Sequence, residues 1–377
     1  MLRLFVTGDN HIGLSYDSHP KRGELVKERT ESISRMVEEA NRQECDFFVV
    51  TGDLFDSKSV GKASVKAVVD ALKKFSAKVL VLPGNHDYYN SGSTVWKYFN
   101  EAIDGCSNIT LLCDSREYAY DIREERAVFY PAICDSRNSD TNRLDWIKAK
   151  GIAADNEYRI GVAHGALDGL TYDAEGQYFP MKVSELESVP LDAWLIGHAH
   201  VCYPADVTTE YKNCGRIFNV GTHVQRDVHN NTEGYCFIVE IESGEGQKSV
   251  RVKKWNSSEL RFARPDAIKL KAGDNLKAVL EDSLKNYSDK TVIDKLRIEG
   301  VVSDEDYADK TSIAEEVGKR FLEFDVDLRG LSKNITETLI DREYDDGSLP
   351  NQLLKKLMDD PIAVQMAYEL LHGGKEA

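Results

Sequence analysis

The sequence predicts an α/β protein whose first two-thirds is a largely parallel sheet structure covered by helices. Three observations carry this. Short, continuous apolar runs rich in β-branched and aromatic residues alternate with segments of helical periodicity. Runs of that kind suit strands buried on both faces. The pattern then changes around residues 261–265, beyond which a smaller α/β unit and a helical tail follow.

The elements can be taken in chain order. Leu2–Thr7 leads into Gly8-Asp9-Asn10-His11, and the helix after it places Ile33, Met36, Val37 and Ala40 on one face. Phe47–Thr51 runs into Gly52-Asp53, followed by a helix with Val65, Val68, Val69 and Leu72 aligned. Residues 79–82 end at Pro83-Gly84-Asn85-His86-Asp87, 160–163 at His164, and 193–196 at Gly197-His198-Ala199-His200. Segments 234–242 and 248–254, joined by Ser243-Gly244-Glu245-Gly246, read as a hairpin closing the first domain. The smaller unit offers a helix with Leu276, Val279, Leu280 and Leu284, a strand at 296–300, a helix with Ile313, Val317 and Phe321, and an alternating strand at 324–328. In the tail, Asp360-Pro361 is a cap and first-turn proline for a last helix with Val364, Ala367, Tyr368 and Leu371 on one face. The expected domains are 1–258, 259–345 and 346–377. If the strands are mostly parallel, every motif loop leaves the same sheet edge, where α/β proteins place their sites.

Composition narrows the function classes. No run approaches the roughly 20 apolar residues of a membrane span, and the first residues read as a strand rather than an export signal. Seven cysteines without a C-x-x-C pair point away from a disulfide framework or structural zinc and toward a reducing cytoplasm. The net charge of −16, denser in the C-terminal third, weighs against binding nucleic acid through a broad basic face.

The chemistry lies in the loops. Five of the nine histidines (His11, His86, His164, His198 and His200) sit in turns, most of them beside an Asp or Asn. Any one such turn is ordinary backbone-bonding turn chemistry. Five in order, each behind an apolar run, supply what a two-metal hydrolase needs: a bridging carboxylate, imidazole and oxygen ligands, and an open position for water. Asp53 is the candidate bridge, Asp9, His11 and His200 the ligands of one metal, and Asn85, His164 and His198 those of the other. An Asn is a poor acid or base but a good neutral oxygen ligand. His86 is left to donate a proton to the departing oxygen or hold the phosphoryl oxygens. Water deprotonated by the two cations would be the nucleophile. Thiolate-free N/O ligation suits manganese, iron or zinc, with manganese the expected ion. His223 and Arg226 are candidate contacts to a substrate phosphate. Tyr16, Tyr88 and Tyr89, beside the motif loops, are candidates to stack on a nucleotide, with ordinary packing as their alternative.

The ordered set D-x-H, G-D-x-x-D, G-N-H-D, H and G-H-x-H resembles the calcineurin-like metallophosphoesterase superfamily over about residues 1–255. The resemblance implies a two-layered αββα sandwich, the seven ligands above and His86 as catalytic histidine. His11-Ile12-Gly13, Gly52-Asp53-Leu54-Phe55-Asp56 and the appended unit are most similar to the SbcD-type nuclease subunit of double-strand-break repair complexes. That likeness implies an exo- and endonuclease acting on DNA, a capping domain that helps present it, and an SbcC-like coiled-coil ATPase partner docking on helix 363–372. The alternative for that helix is packing on the protein's own cap or in a homodimer. Asp56 is similar to the bacterial type, whereas Val220-Gly221-Thr222 departs from the usual Pro-Gly-Ser. Two other functions compete: hydrolysis of a small phosphodiester or phosphomonoester, and a non-catalytic metal-binding scaffold.

Overall fold

The computed structural model describes residues 1–372 except 18, 91, 153–156, 171, 172, 174, 230–232 and 244–247, so the expected turn at 244–246 lies outside it. The chain divides into two units, Met1–Leu260 and Arg261–Ala377.

The first unit contains β1 (Leu2–Thr7), β2 (Phe47–Thr51), β3 (Lys78–Leu82), β4 (Ile109–Leu111), β5 (Tyr118–Ile122), β6 (Glu125–Ala132), β7 (Tyr158–His164), β8 (Ala193–Gly197), β9 (Lys212–Asn213), β10 (Ile217–Asn219), β11 (Tyr235–Glu242) and β12 (Ser249–Asn256). Its helices are α1 (Arg22–Arg42), α2 (Lys62–Leu72), α3 (Thr94–Ile103), α4 (Asp145–Ala149) and α5 (Val183–Ser188). One sheet runs β4-β3-β2-β1-β11-β12-β9, the other β10-β8-β7-β6-β5. Strands β1 to β4 are mutually parallel, as are β6, β7, β8 and β10. The expected hairpin is β11 and β12, and it extends the first sheet antiparallel from β1.

Alternation along each buried strand builds the layers. Phe47 and Val49 of β2 join Leu4, Val6, Phe129, Ile160, Val162 and Leu195 between the two sheets. Phe48 and Val50, pointing the other way, pack with Ile33, Met36, Val65, Val69 and Phe99 of the helices. On the outer face of the second sheet, Val128, Trp194 and Ile196 pack with Ile147 and Leu186. The result is the αββα sandwich. Burying a large apolar side chain contributes about 1.5–3 kcal/mol, so the three clusters together secure the frame from which the loops project.

The second unit is an all-parallel sheet. Its long strand β15 (Thr291–Val302) pairs on one edge with β16 (Glu323–Lys333) and on the other with β13 (Arg261–Ala263) and then β14 (Ile268–Leu270). Helices α6 (Leu276–Ser283), α7 (Asp304–Ala308) and α8 (Lys310–Gly318) follow the strands, and Leu276, Leu280, Leu284 and Val317 pack with Ile293, Leu296 and Ile298. Helices α9 (Glu337–Glu343), α10 (Leu349–Lys356) and α11 (Pro361–His372) form a separate apolar cluster from Ile335, Leu339, Ile340, Leu354, Val364 and Tyr368. A boundary at 345 therefore falls between helices that pack together. Asp360 caps α11, its Oδ1 accepting from the amides of Ile362 (3.1 Å) and Ala363 (3.0 Å). Of the expected stripe, Val364, Ala367 and Tyr368 pack inward within this cluster, whereas Leu371 is exposed together with Ile362, Met366 and Leu370. No helix among the described residues is long and apolar enough to cross a membrane.

Candidate metal centre

The parallel strands deliver their loops to one edge, and the first two loops are laced together. The amide of Asp9 donates to the carbonyl of Gly52 (3.1 Å), His11 to Asp53 (2.9 Å), Ile12 to Leu54 (2.9 Å) and Asp56 back to Ile12 (3.0 Å). The β1–β2 ladder thus continues past its strand ends. Within it Asp9, His11 and Asp53 adopt left-handed backbone, with φ of 48°, 45° and 51°, and His198 has φ 105°. Such conformations cost non-glycine residues about 1–3 kcal/mol each and persist where surroundings over-determine them.

Two glycines admit the close approaches. A Cβ on Gly52 would sit 2.2 Å from Nδ1 of His164, and one on Gly84 would sit 2.2 Å from Oδ1 of Asp53. Gly52 also has φ 102°, open to glycine alone at no cost. Gly52→Ala is expected to push His164 off its position and lower stability by about 2 kcal/mol; thermal melting together with metal titration checks both effects.

Seven side chains converge there. Nε2 of His11 lies 3.0 Å from Nε2 of His200 and 3.7 Å from Oδ2 of Asp53. Nε2 of His200 is 4.0 Å from Oδ1 of Asp9. On the other side, Oδ1 of Asn85 is 3.0 Å from Nε2 of His164 and 3.2 Å from Nδ1 of His198, with Oδ2 of Asp53 3.4 Å from His164. Asp53 stands between the two groups. Asp9, His11, Asp53, Asn85 and His164 are buried. The sets Asp9–His11–His200 and Asp9–Asp53–His164 each offer donor atoms within 4.8 Å of one another, and so does His11–Asp53–His86.

The donor chemistry fits a cation. Nδ1 of His164 lies 2.9 Å from the carbonyl of Thr51, which can only accept, so Nδ1 carries the hydrogen. In the neutral ring the Nε2 lone pair then faces lone pairs of Asn85 and Asp53. Something positive must sit between them, a proton or a metal. Without a metal the proton is favoured: burial pulls His164 down, yet Asp53 and Asp9 outweigh it and hold the ring at about 9. Burial also pushes Asp9 well above the usual carboxylate range, with Asp53 adding to the rise and His164 opposing it. For Asp53, burial is outweighed by His164 and His11, and its carboxyl stays well below that range. Burial, followed by His164, depresses His198 to about 4, and burial followed by His11 depresses His200, leaving both rings neutral and able to ligate.

His86 is at the rim. Its amide donates to Oδ1 of Asp53 (2.8 Å), and its Nδ1 lies 3.1 Å from the carbonyl of Asp56, which fixes the hydrogen there and leaves Nε2 available. It lines a cavity of about 260 Å³ with Asp53, Asn85, Arg137, Tyr178, His198 and His200.

Other candidates fall differently. His223 is completely buried, its Nε2 2.9 Å from the carbonyl of Arg29, so the expected substrate contact is corrected to an internal packing role. Arg226 is exposed, and its charge reaches Asp56 and His200. Tyr16 accepts from Arg29 (3.3 Å), Tyr88 is covered by Lys58, whose Nζ is 4.1 Å from the ring centroid, and Tyr89 packs against the helix-side core.

Four residues escaped the sequence reading. Arg137 and Tyr178 line the cavity from loops that carry no motif. Asp87 is buried and accepts from the amides of Phe55 (2.9 Å) and Gly84 (2.7 Å), clamping two ligand loops together. Burial, then Asp53, raises its carboxyl to about 7. Arg29, also buried, donates to the carbonyls of Asn10 (2.6 Å) and Val224 (3.0 Å). Asp87 ends the G-N-H-D motif and could have been found there; Arg29 sits in an ordinary amphipathic helix and gave no signal.

Residues 2–202, just over half the chain, match the model of the calcineurin-like phosphoesterase family. The chain belongs to that family. As a member of that family it carries its candidate metal-binding residues at the edge described above. It is 23% identical over 200 residues to YhaO of Bacillus subtilis (strain 168), an uncharacterized metallophosphoesterase; the match takes in 50% of this chain and 45% of the relative. The chain therefore spans less than half of that relative's length. Among solved structures it is similar to TT1561 of Thermus thermophilus, with 12% identity, 68% and 99% of the two chains covered and a TM-score of 0.42. It is likewise similar to a dimetal phosphatase from Danio rerio, with 12% identity, 68% and 98% coverage and a TM-score of 0.42.

Proposed function

We propose that this calcineurin-like phosphoesterase is a two-metal DNA phosphodiesterase, an exo- and endonuclease that works with an SbcC-like coiled-coil ATPase. The observation carrying the two-metal part is Asp53 standing between two donor groups whose lone pairs face each other: Asp9, His11 and His200 on one side, Asn85, His164 and His198 on the other. Two divalent cations, manganese by preference for this thiolate-free set, would supply a nucleophile from water at neutral pH and neutralise charge on the phosphoryl group. The chain's own residues do the rest. The seven ligands fix the geometry, and the site's buried carboxylates make cations welcome. His86, with Nδ1 tied to Asp56, turns Nε2 to the cavity to protonate the leaving oxygen or hold the phosphoryl oxygens.

Support for DNA comes from the second unit. Although the chain carries a net −16, that unit has a concavity of about 870 Å³ lined by Arg264, Lys295, Arg297, Lys310 and Arg329 against Asp325 and Asp327. Arg264 and Arg329 are ion-paired with Asp294 and Asp327, and Arg297 lies 4.0 Å from Glu299, which leaves Lys295 and Lys310 as the cations of this concavity best placed to meet a phosphate backbone. Support for a helical partner comes from the apolar residues Ile362, Met366 and Leu370 exposed on α11. The size of the catalytic cavity, about 260 Å³, favours a second reading, a small phosphodiester or phosphomonoester.

Chelation tests the reading. Protein stripped with EDTA is expected to cleave neither end-labelled duplex DNA nor bis-p-nitrophenyl phosphate, and manganese to restore both with saturation at two ions per chain. Restoration on the small ester alone selects the second reading. No turnover of either substrate by the manganese-loaded chain, alone or with its ATPase, overturns both.

A further inference from the structure

Two rim side chains belong to no motif and make no hydrogen bond to a candidate ligand among the described residues. Arg137 lines the cavity with an exposed guanidinium that has no carboxylate or hydrogen-bond partner among the described residues; only its carbonyl is engaged, by Nδ2 of Asn85 at 3.3 Å. Tyr178 is 36% exposed, with its ring 5.2 Å from that of His198 and tilted 33° to it. The loops bearing them are strapped together. The amide of Ser139 donates to the carbonyl of Gln177 (2.7 Å), and that of Phe179 to Ser139 (2.9 Å). Arg143 reinforces the strap through Asp135, at 2.8 and 3.1 Å, and lies 5.3 Å from the ring of buried Phe179. The pair is thus held on a built rim.

An unpaired guanidinium beside a phosphoesterase cavity has a shape and charge that match two phosphoryl oxygens. A half-exposed tyrosine ring next to it offers a planar apolar surface for a ring attached one ester bond from phosphorus. We propose that Arg137 and Tyr178 form a substrate-selecting pair, Arg137 holding non-bridging phosphoryl oxygens and Tyr178 receiving a planar group, so that nucleotide-type phosphoesters are preferred over alkyl ones. This rests on the two-metal reading of the site and deepens it.

The test uses the full chain loaded with manganese, as wild type, Arg137→Gln and Tyr178→Ala. Calorimetry measures binding of thymidine 5′-monophosphate, methyl phosphate and inorganic phosphate, and circular dichroism checks folding. The wild type is expected to bind the nucleotide about tenfold more tightly than methyl phosphate. Arg137→Gln is expected to weaken all three by about tenfold or more. Tyr178→Ala is expected to weaken the nucleotide by about tenfold and the other two by less than twofold. Binding of all three within twofold of wild type in Arg137→Gln overturns the phosphate role. Equal weakening of nucleotide and methyl phosphate in Tyr178→Ala overturns the ring role and leaves Tyr178 as support for His198. Hydrolysis of the p-nitrophenyl ester of thymidine 5′-monophosphate, measured alongside, separates the two levels. If the wild type hydrolyses nothing while this binding pattern holds, the catalytic reading falls and the selecting pair stands; hydrolysis without the pattern removes the pair alone.

Discussion

Replacing Asp53 with Asn is expected to cut kcat/KM by at least about 10⁴-fold and to drop metal content below two ions per chain. The substitution keeps the shape and removes the one charge shared between the donor groups. Oδ2 of Asp53 lies 3.7 Å from Nε2 of His11 and 3.4 Å from Nε2 of His164, while Oδ1 accepts the amide of His86. An amide presents one oxygen, so it can stand either where Oδ2 faces both histidines, now uncharged, or where Oδ1 accepts from His86, and not in both places. At 1.36 kcal/mol per tenfold, a 10⁴-fold loss is about 5.4 kcal/mol of transition-state stabilisation, reasonable for losing a bridging anion along with a metal. Elemental analysis and kinetics on bis-p-nitrophenyl phosphate check it. Full metal content with activity within tenfold of wild type would remove Asp53 from the bridging position.

His86→Ala is expected to lower kcat by about 10²–10⁴-fold with metal content unchanged. His86 has its Nδ1 committed to the Asp56 carbonyl and its amide to Asp53, and although its ring lies within metal-sharing distance of His11 and Asp53, the seven other donors complete both groups without it. The size of the loss should depend on the leaving group. A poor leaving group such as a deoxyribose hydroxyl needs the proton in the transition state, whereas p-nitrophenolate leaves without one. DNA cleavage should therefore fall further than turnover of the nitrophenyl ester. Equal losses would assign the ring to the phosphoryl oxygens instead, and a loss of metal would make it a ligand.

The parts of the fold that could be read from the sequence were those where two signals coincided. Strands β1, β2, β3, β7 and β8 each end an apolar run at a polar turn, and the turn residues are the ones the structure gathers. Strands β5 and β6 were missed because β5 alternates buried and exposed residues without a motif at its end. With β6 went the loop carrying Arg137. The long strand β15 was read only at its centre, since Asp294 and Lys295 interrupt its apolar character. His223 misled for a different reason: proximity in sequence to a site does not say which way a ring points, and this one turns toward Arg29. Convergence was legible because ligand types are few and their spacing is constrained by turns. Rim residues were not, because a surface Arg or Tyr is ordinary at almost any position.

The lacing of the β1 and β2 loops bears on how this scaffold can change. With Asp9, His11 and Ile12 bonded in step to Gly52, Asp53 and Leu54, insertion or deletion of a single residue in either loop shifts every donor at once. These loops are effectively out of reach of gradual variation. The strap through Ser139 takes no part in that lacing and meets the ligand loops mainly through backbone, the Arg137 carbonyl accepting from Asn85 (3.3 Å) and the Cys134 carbonyl from the amide of Tyr89 (3.0 Å), so its side chains can vary as a module. Exchanging segments 133–144 and 165–180 between relatives should therefore transfer substrate preference while leaving the metal chemistry where it is.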